Sequence, residues 1–197
     1  MKPVFHLEPK YSVTMLTREE WTTCPRTPAV KGLVWFTDGS RTAEGTGAGV
    51  YGQSANRRLG ISLAKHSRTT VFQAAVCATL ACVYETEAQD RPEKYVSICC
   101  DSQAALKALQ AAKTASRLIR QCQQALNDIS TRHAVGLYWV RGHAGVRGNE
   151  IADKLARSGS VQRFVVSELF LGVSAEYKKK DETLDGETAS GIVAWSL

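Results

Sequence analysis

The chain of 197 residues is notable first for what it has little of. No stretch approaches the roughly 20 consecutive apolar residues of a membrane-spanning helix. The opening MKPVFHLEPKYSV has no long apolar run either, so neither a bilayer span nor a secretory signal is expected. The six cysteines, at 24, 77, 82, 99, 100 and 122, show no paired metal-ligand spacing. Two of them lie in a helical stretch and two in an extended one, which reads as reduced, buried thiols of an intracellular protein rather than a zinc site or a disulfide framework. Proline is almost confined to the beginning: four of the five stand at 3, 9, 25 and 28. Residues 1–31 read as a linker on that ground, and regular patterning begins after TPAVKG. The net charge of +6 suits a polyanionic partner without requiring one.

From residue 32 the pattern alternates between short apolar runs and helical stretches. GLVWFTDGS (32–40) is a buried strand by length and composition, and GAGVYG (47–52) and RRLGISLA (57–64) follow at hairpin separations, predicting an antiparallel meander. TTVFQAAVCATLACVYE opens a helix over 70–88, with Val71, Ala74, Ala75, Ala78 and Cys82 on one stripe. YVSICCDS (95–102) is a strand closing on an acid. Two helices follow over 102–112 and 115–130, the second with Leu118, Cys122, Ala125 and Ile129 on its apolar face. AVGLYWVRG (134–142) is a strand, and the loop GHAGVRG leads into a helix ended by Gly159. This order predicts a mixed sheet with helices packed against it. Beyond 160 the pattern decays into a charged stretch, YKKKDETLDGETASG, read as a tail that is partly disordered.

Three acids occupy comparable places. Asp38 and Asp101 each follow the apolar run of a strand, and Asp153 sits in the opening turns of the last helix. Each has an ordinary reading, since Asp38 before Gly-Ser makes a turn and Asp101 before Ser-Gln caps a helix. Three together, with His143 ten residues before the last, point instead to a shared cation, because an acid at the end of a buried strand needs a hydrogen bond or a positive partner. Oxygen ligands alone favour Mg²⁺ or Mn²⁺ over zinc. His143 is then a proton shuttle or product-release group on its loop.

FTDGS, CCDSQAAL and WVRGHAGVRGNEIADKLA, in this order, resemble type 1 ribonuclease H over about residues 32–160. The wording is most similar to that domain in arthropod non-LTR retrotransposon polyproteins. The resemblance implies an α/β fold with a five-stranded mixed sheet in the order 3-2-1-4-5, three antiparallel strands then parallel ones, and helices on both faces. It implies Mg²⁺-dependent endonucleolytic hydrolysis of the RNA strand of an RNA–DNA hybrid, with Mn²⁺ as a substitute. Asp38, Asp101 and Asp153 match the metal-binding aspartates, and His143 the loop histidine. Gly39, Ser40, Ser102 and Gln103 fall where family members contact the hybrid. Asn149 and Glu150 belong to the same motif as Asp153 and are assigned to shaping the helix start. Arg41, Arg57, Arg58, Lys65, Arg117 and Arg120 are candidates for phosphate contacts. The expected partners are the hybrid and an attached reverse transcriptase. The domain is expected to be a monomer without membrane contact, residing in cytoplasm or nucleus. Residues 161–197 are a C-terminal extension.

One acid is missing. The family's fourth metal ligand is a glutamate near the start of the first helix, and that place holds Ala75. Gln73 points about 160° away, and Glu85 lies about 15 Å further along the axis, so neither substitutes, while Glu44 in the loop near the first hairpin stays open with nothing that argues for it. One metal site is expected to be weakened, at a cost of about three orders of magnitude in rate. The helix itself should tolerate alanine well. A catalytically dead module that binds nucleic acid or serves as a scaffold is the alternative. An integrase-like strand-transfer domain fits the HAG-x-x-GNE-x-AD stretch poorly.

Overall fold

The computed structural model describes residues 4–17, 20, 30–54, 57–63, 69–89, 92–161 and 190–195. The chain forms β1 (Phe5–His6), β2 (Ser12–Thr14), β3 (Leu33–Arg41), β4 (Thr46–Gly52), β5 (Arg57–Leu63), α1 (Val71–Ala88), β6 (Tyr95–Cys100), α2 (Gln103–Gln110), β7 (Lys113–Thr114), α3 (Arg117–Ile129), β8 (Ala134–Trp139), α4 (Arg147–Val161) and β9 (Ser190–Trp195). The main sheet runs β2-β8-β6-β3-β4-β5-β9. At its centre β5-β4-β3-β6-β8 is the expected 3-2-1-4-5 order, antiparallel from β3 to β5 and parallel across β3, β6 and β8. The expected five strands become seven, because β2 and β9 add parallel edges.

The N-terminal segment does more than the expected linker. β2 covers the outer edge of β8, and β1 pairs with β7 in the connection between α2 and α3. The Tyr11 hydroxyl donates to Leu109 O at 2.7 Å. Asn127 accepts from Lys10 N at 2.7 Å and donates to Glu8 O at 2.9 Å. Burying Tyr11 and pairing an otherwise open strand edge favour this arrangement over a free linker. The expected C-terminal extension lies outside the described residues apart from Val161 and β9.

Side chains alternate across β3, so its residues feed two cores. Leu33 and Trp35 join the larger core with Ile98, Leu137 and the apolar faces of α1, α2 and α3. Val34 and Phe36 join a smaller one with Cys99, Val140, Val146 and Ala152 beneath α4. Helices therefore cover both faces, as expected. Helix α4 sits close because glycines line its track. A side-chain carbon at Gly47 would lie 2.1 Å from Ala156 O, and one at Gly49 2.0 Å from Ala152 O. This close packing also explains why the helix passes through Gly159, where sequence placed its end, and continues to Val161.

The five described cysteines are free and buried. Burial pushes the Cys77, Cys99 and Cys100 thiols up to about 12, so they act as small apolar groups. Among the described residues no helix is long and apolar enough to cross a membrane.

Candidate metal centre

The acids meet at the carboxyl ends of β3 and β6. These parallel neighbours flank the point where the chain's strand order reverses, a position that opens a crevice in α/β sheets. Asp38 shares the face of Val34 and Phe36 by alternation and is 8% exposed. Asp101 directly follows Cys100, whose register partner on β3 is Thr37. Asp153 comes from α4, which packs across β3 and β4. Gly148 in the first turn of that helix lies against the Phe36 ring, which fixes where the helix begins.

The electrostatics tie the three together. Burial raises the Asp38 carboxyl to about 8, helped by the neighbouring charges of Asp101 and Asp153 and opposed by a hydrogen bond from Gly39 N at 2.7 Å. Asp101 is also raised, first by burial, while hydrogen bonds from Asn149 and Asp38 pull it down and Asp153 pushes it up. Asp38 and Asp101 are thus close neighbours whose protonation is linked. Asp153 accepts from Arg157 Nε at 2.9 Å, four residues along its own helix. Among the described residues no three His, Cys, Asp or Glu side chains are arranged so that they could hold a metal ion as they stand. The donor chemistry nonetheless fits a hard divalent cation: Asp38 and Asp101 are buried carboxyls raised by burial, with the Asp153 carboxylate near enough to raise them further.

The other candidates divide. Gly39 lies beneath the start of α1, where a side-chain carbon would be 2.8 Å from Ala75 N. Position 75 therefore abuts the residue next to Asp38, and Ala75 is 1% exposed there. Thr70 caps α1, and Gln73 completes a capping box, its Oε1 accepting from Thr70 N at 2.9 Å. Glu85 pairs with Arg57 at 3.5 Å. Both side chains are thus engaged by these partners. Ser102 caps α2, its side chain accepting from Ala105 N at 3.3 Å, and Gln103 beside it is exposed. Ser40 is half-buried near the end of β3. His143 is exposed on the loop after β8, with φ of 52°, a conformation uncommon for residues other than glycine.

Among the basic candidates, Arg41 and Arg117 are exposed. Arg58 lies over the Tyr51 ring at 5.9 Å and Arg120 over the Phe5 ring at 4.3 Å. Lys65 lies outside the described residues.

Sequence reading missed three neighbours of the acids. Trp139 Nε1 donates to Asp101 O at 3.0 Å. Gly142 leaves room for Asp101, whose Oδ2 would be 2.8 Å from a side-chain carbon there. Asn149, assigned to shaping the helix, lies close enough to lower the Asp101 carboxyl. Their places inside WVRGHAGVRGNE were the available signal, but the partner is distant in sequence.

Known proteins resemble parts of the chain. Ribonuclease H of Orientia tsutsugamushi is 46% identical over 44 residues, 22% of this chain and 26% of that protein. Ribonuclease H of Nitrosomonas eutropha is 59% identical over 34 residues, 17% and 21% of the two chains. That of Rhizobium etli is 58% identical over 36, 18% and 24%. The matched stretches thus span about a quarter of these relatives' length or less. The family model for RNase H matches residues 30–161, which take in the sheet from β3 to β8 and all three acids, and the chain belongs to the RNase H family.

Proposed function

We propose that the chain is a ribonuclease H domain for endonucleolytic hydrolysis of the RNA strand of RNA–DNA hybrids, impaired by alanine at position 75. The observation that supports this reading is that Asp38 and Asp101 are both raised, first by burial and then with a contribution from the charge of Asp153. These three carboxylates would hold Mg²⁺, or Mn²⁺ in its place. When bound, such ions lower the pKa of water and stabilise the leaving oxygen of a phosphodiester. Asp38 and Asp101 would each supply a carboxylate to the cation, and Asp153 would do so by giving up its bond to Arg157 Nε. His143 takes or returns a proton at its imidazole from the exposed loop. Gly39, Ser40, Ser102 and Gln103 line the ends of β3 and β6 where the hybrid would lie, with Arg41 and Arg117 as phosphate contacts.

The impairment follows from charge. A glutamate at 75 would bring a fourth carboxylate beside Gly39 and Asp38, and Ala75 withholds it. The wording of the motifs supports descent from a non-LTR retrotransposon, in which this domain works beside a reverse transcriptase. Ala75 is also the observation that favours the second reading, a dead module that binds hybrid without cutting it.

The deciding experiment is Ala75→Glu, assayed on labelled hybrid with Mg²⁺ and then Mn²⁺. We expect cleavage to rise by about three orders of magnitude. A restored variant no faster than its parent sinks the diagnosis. Tight hybrid binding with no product from either protein favours the second reading.

A further inference from the structure

Asp101 is gripped from two directions by groups outside the set of acids. Trp139, half-buried at the end of β8, donates its indole N–H to the main-chain oxygen of Asp101 at 3.0 Å. The next residue continues the clamp, with Val140 N donating to Cys100 O at 3.1 Å. From the other side, the buried Asn149 side chain lies close enough to the Asp101 carboxyl to lower it. Asn149 is 3% exposed, and its Oδ1 is buried with no hydrogen-bond partner. A buried amide with one atom unpaired offers packing no advantage over an apolar residue of its size. Its contact with the acid is what distinguishes it. Such departures from good packing concentrate at functional sites.

We propose that Asn149 and Trp139 are positioning residues for Asp101, one aiming its carboxyl and the other anchoring its main chain, so that divalent-cation affinity depends on both. The inference rests on the carboxylate site proposed above. Groups that orient a metal ligand typically govern affinity by about 10–100-fold. Indole and amide reach Asp101 from β8 and α4, so the strand and helix that flank the His143 loop are both tied to this one acid.

The test is Mn²⁺ titration of the full chain, followed by electron paramagnetic resonance, with the metal-free melting temperature recorded for each variant. Asn149→Ala and Trp139→Phe should each weaken Mn²⁺ binding about tenfold or more. Trp35→Phe, which alters an indole in the core on the other face, should leave affinity unchanged. Asp38→Asn serves as the reference. If the parent binds no Mn²⁺, or binds it equally well after Asp38→Asn, the carboxylate site itself falls and this inference with it. If Asp38→Asn abolishes binding while folded Asn149→Ala and Trp139→Phe bind like the parent, only the inference is overturned. Should either variant fail to fold, nuclear magnetic resonance of the unmutated chain decides. The Asn149 amide and Trp139 indole protons should exchange slowly with solvent, and the amide resonance should move on Asp101→Asn. Fast exchange or an unmoved amide overturns the assignment.

Discussion

The two faces of the central sheet are built on different principles. Beneath α1, α2 and α3, large side chains interlock: Trp35, Leu80, Ile98, Leu106, Leu126 and Leu137 are fully buried. Beneath α4, contact is backbone to backbone across Gly47 and Gly49, and the apolar cluster is small. The first face obtains stability from volume. The second brings a helix close enough for the charge of Asp153 to raise Asp38 and Asp101. Stability and chemistry are thus separable in this molecule, and substitutions on the two faces should fail differently.

Asp38→Asn is the sharpest break in the comparison. Placed in the Ala75→Glu chain, it should return hybrid cleavage to background, a loss of about three orders of magnitude. In the unmodified chain without added metal it should raise stability by roughly 1 kcal/mol at neutral pH, because a neutral amide avoids the proton uptake on folding that burial, with Asp101 and Asp153 nearby, imposes on a carboxyl raised to about 8. Urea unfolding in a chelator reads the second effect. A variant both inactive and less stable would mean that the acid supports the fold rather than the chemistry.

Leu126→Ala probes the opposite face. Leu126 is fully buried on α3, and its truncation should cost about 2–5 kcal/mol by loss of burial and a residual cavity. Mn²⁺ affinity of the folded fraction should not change. An altered affinity would show that the faces are coupled through the sheet.

Gly49→Ala tests the glycine track. The added carbon would meet the main-chain oxygen of Ala152 at 2.0 Å, which only a shift of α4 relieves. Overpacking of this kind costs about 1–3 kcal/mol. Unlike Leu126→Ala, it should also weaken Mn²⁺ binding, because Asp153 rides on the displaced helix. Equal melting losses with unequal metal losses would establish the separation.

These contrasts also explain what could be read from residue order. The acids were legible because each sits in a short motif tied to a strand end or helix start, and local patterning locates both. The strand order followed from the family resemblance and holds through β3 to β8. β1 and β2 escaped because two- and three-residue strands carry no period, and their pairing depends on an edge presented by β8 and a connection beside α3. Proline at 3 and 9 marked that segment as irregular, which describes its backbone but not its anchoring through Tyr11. The role inferred for Asn149 was hidden for a related reason: its partner arrives from another strand, and spacing within GNE-x-AD says nothing of it.

The smallest expected effect concerns a polar atom on the apolar face. Trp35 is fully buried, and its indole N–H has no hydrogen-bond partner. An unmet buried donor costs about 1–3 kcal/mol, while removing indole volume costs packing of similar size. Gly52 lies against the six-membered part of the ring, so the pocket was shaped around the indole. The two terms oppose, and Trp35→Phe should change stability by less than about 1 kcal/mol. Urea unfolding with an unchanged slope measures it. A loss of several kcal/mol would show that volume alone governs this face, whereas a gain would show that even its best-packed residue carries a polar penalty that the fold has not removed.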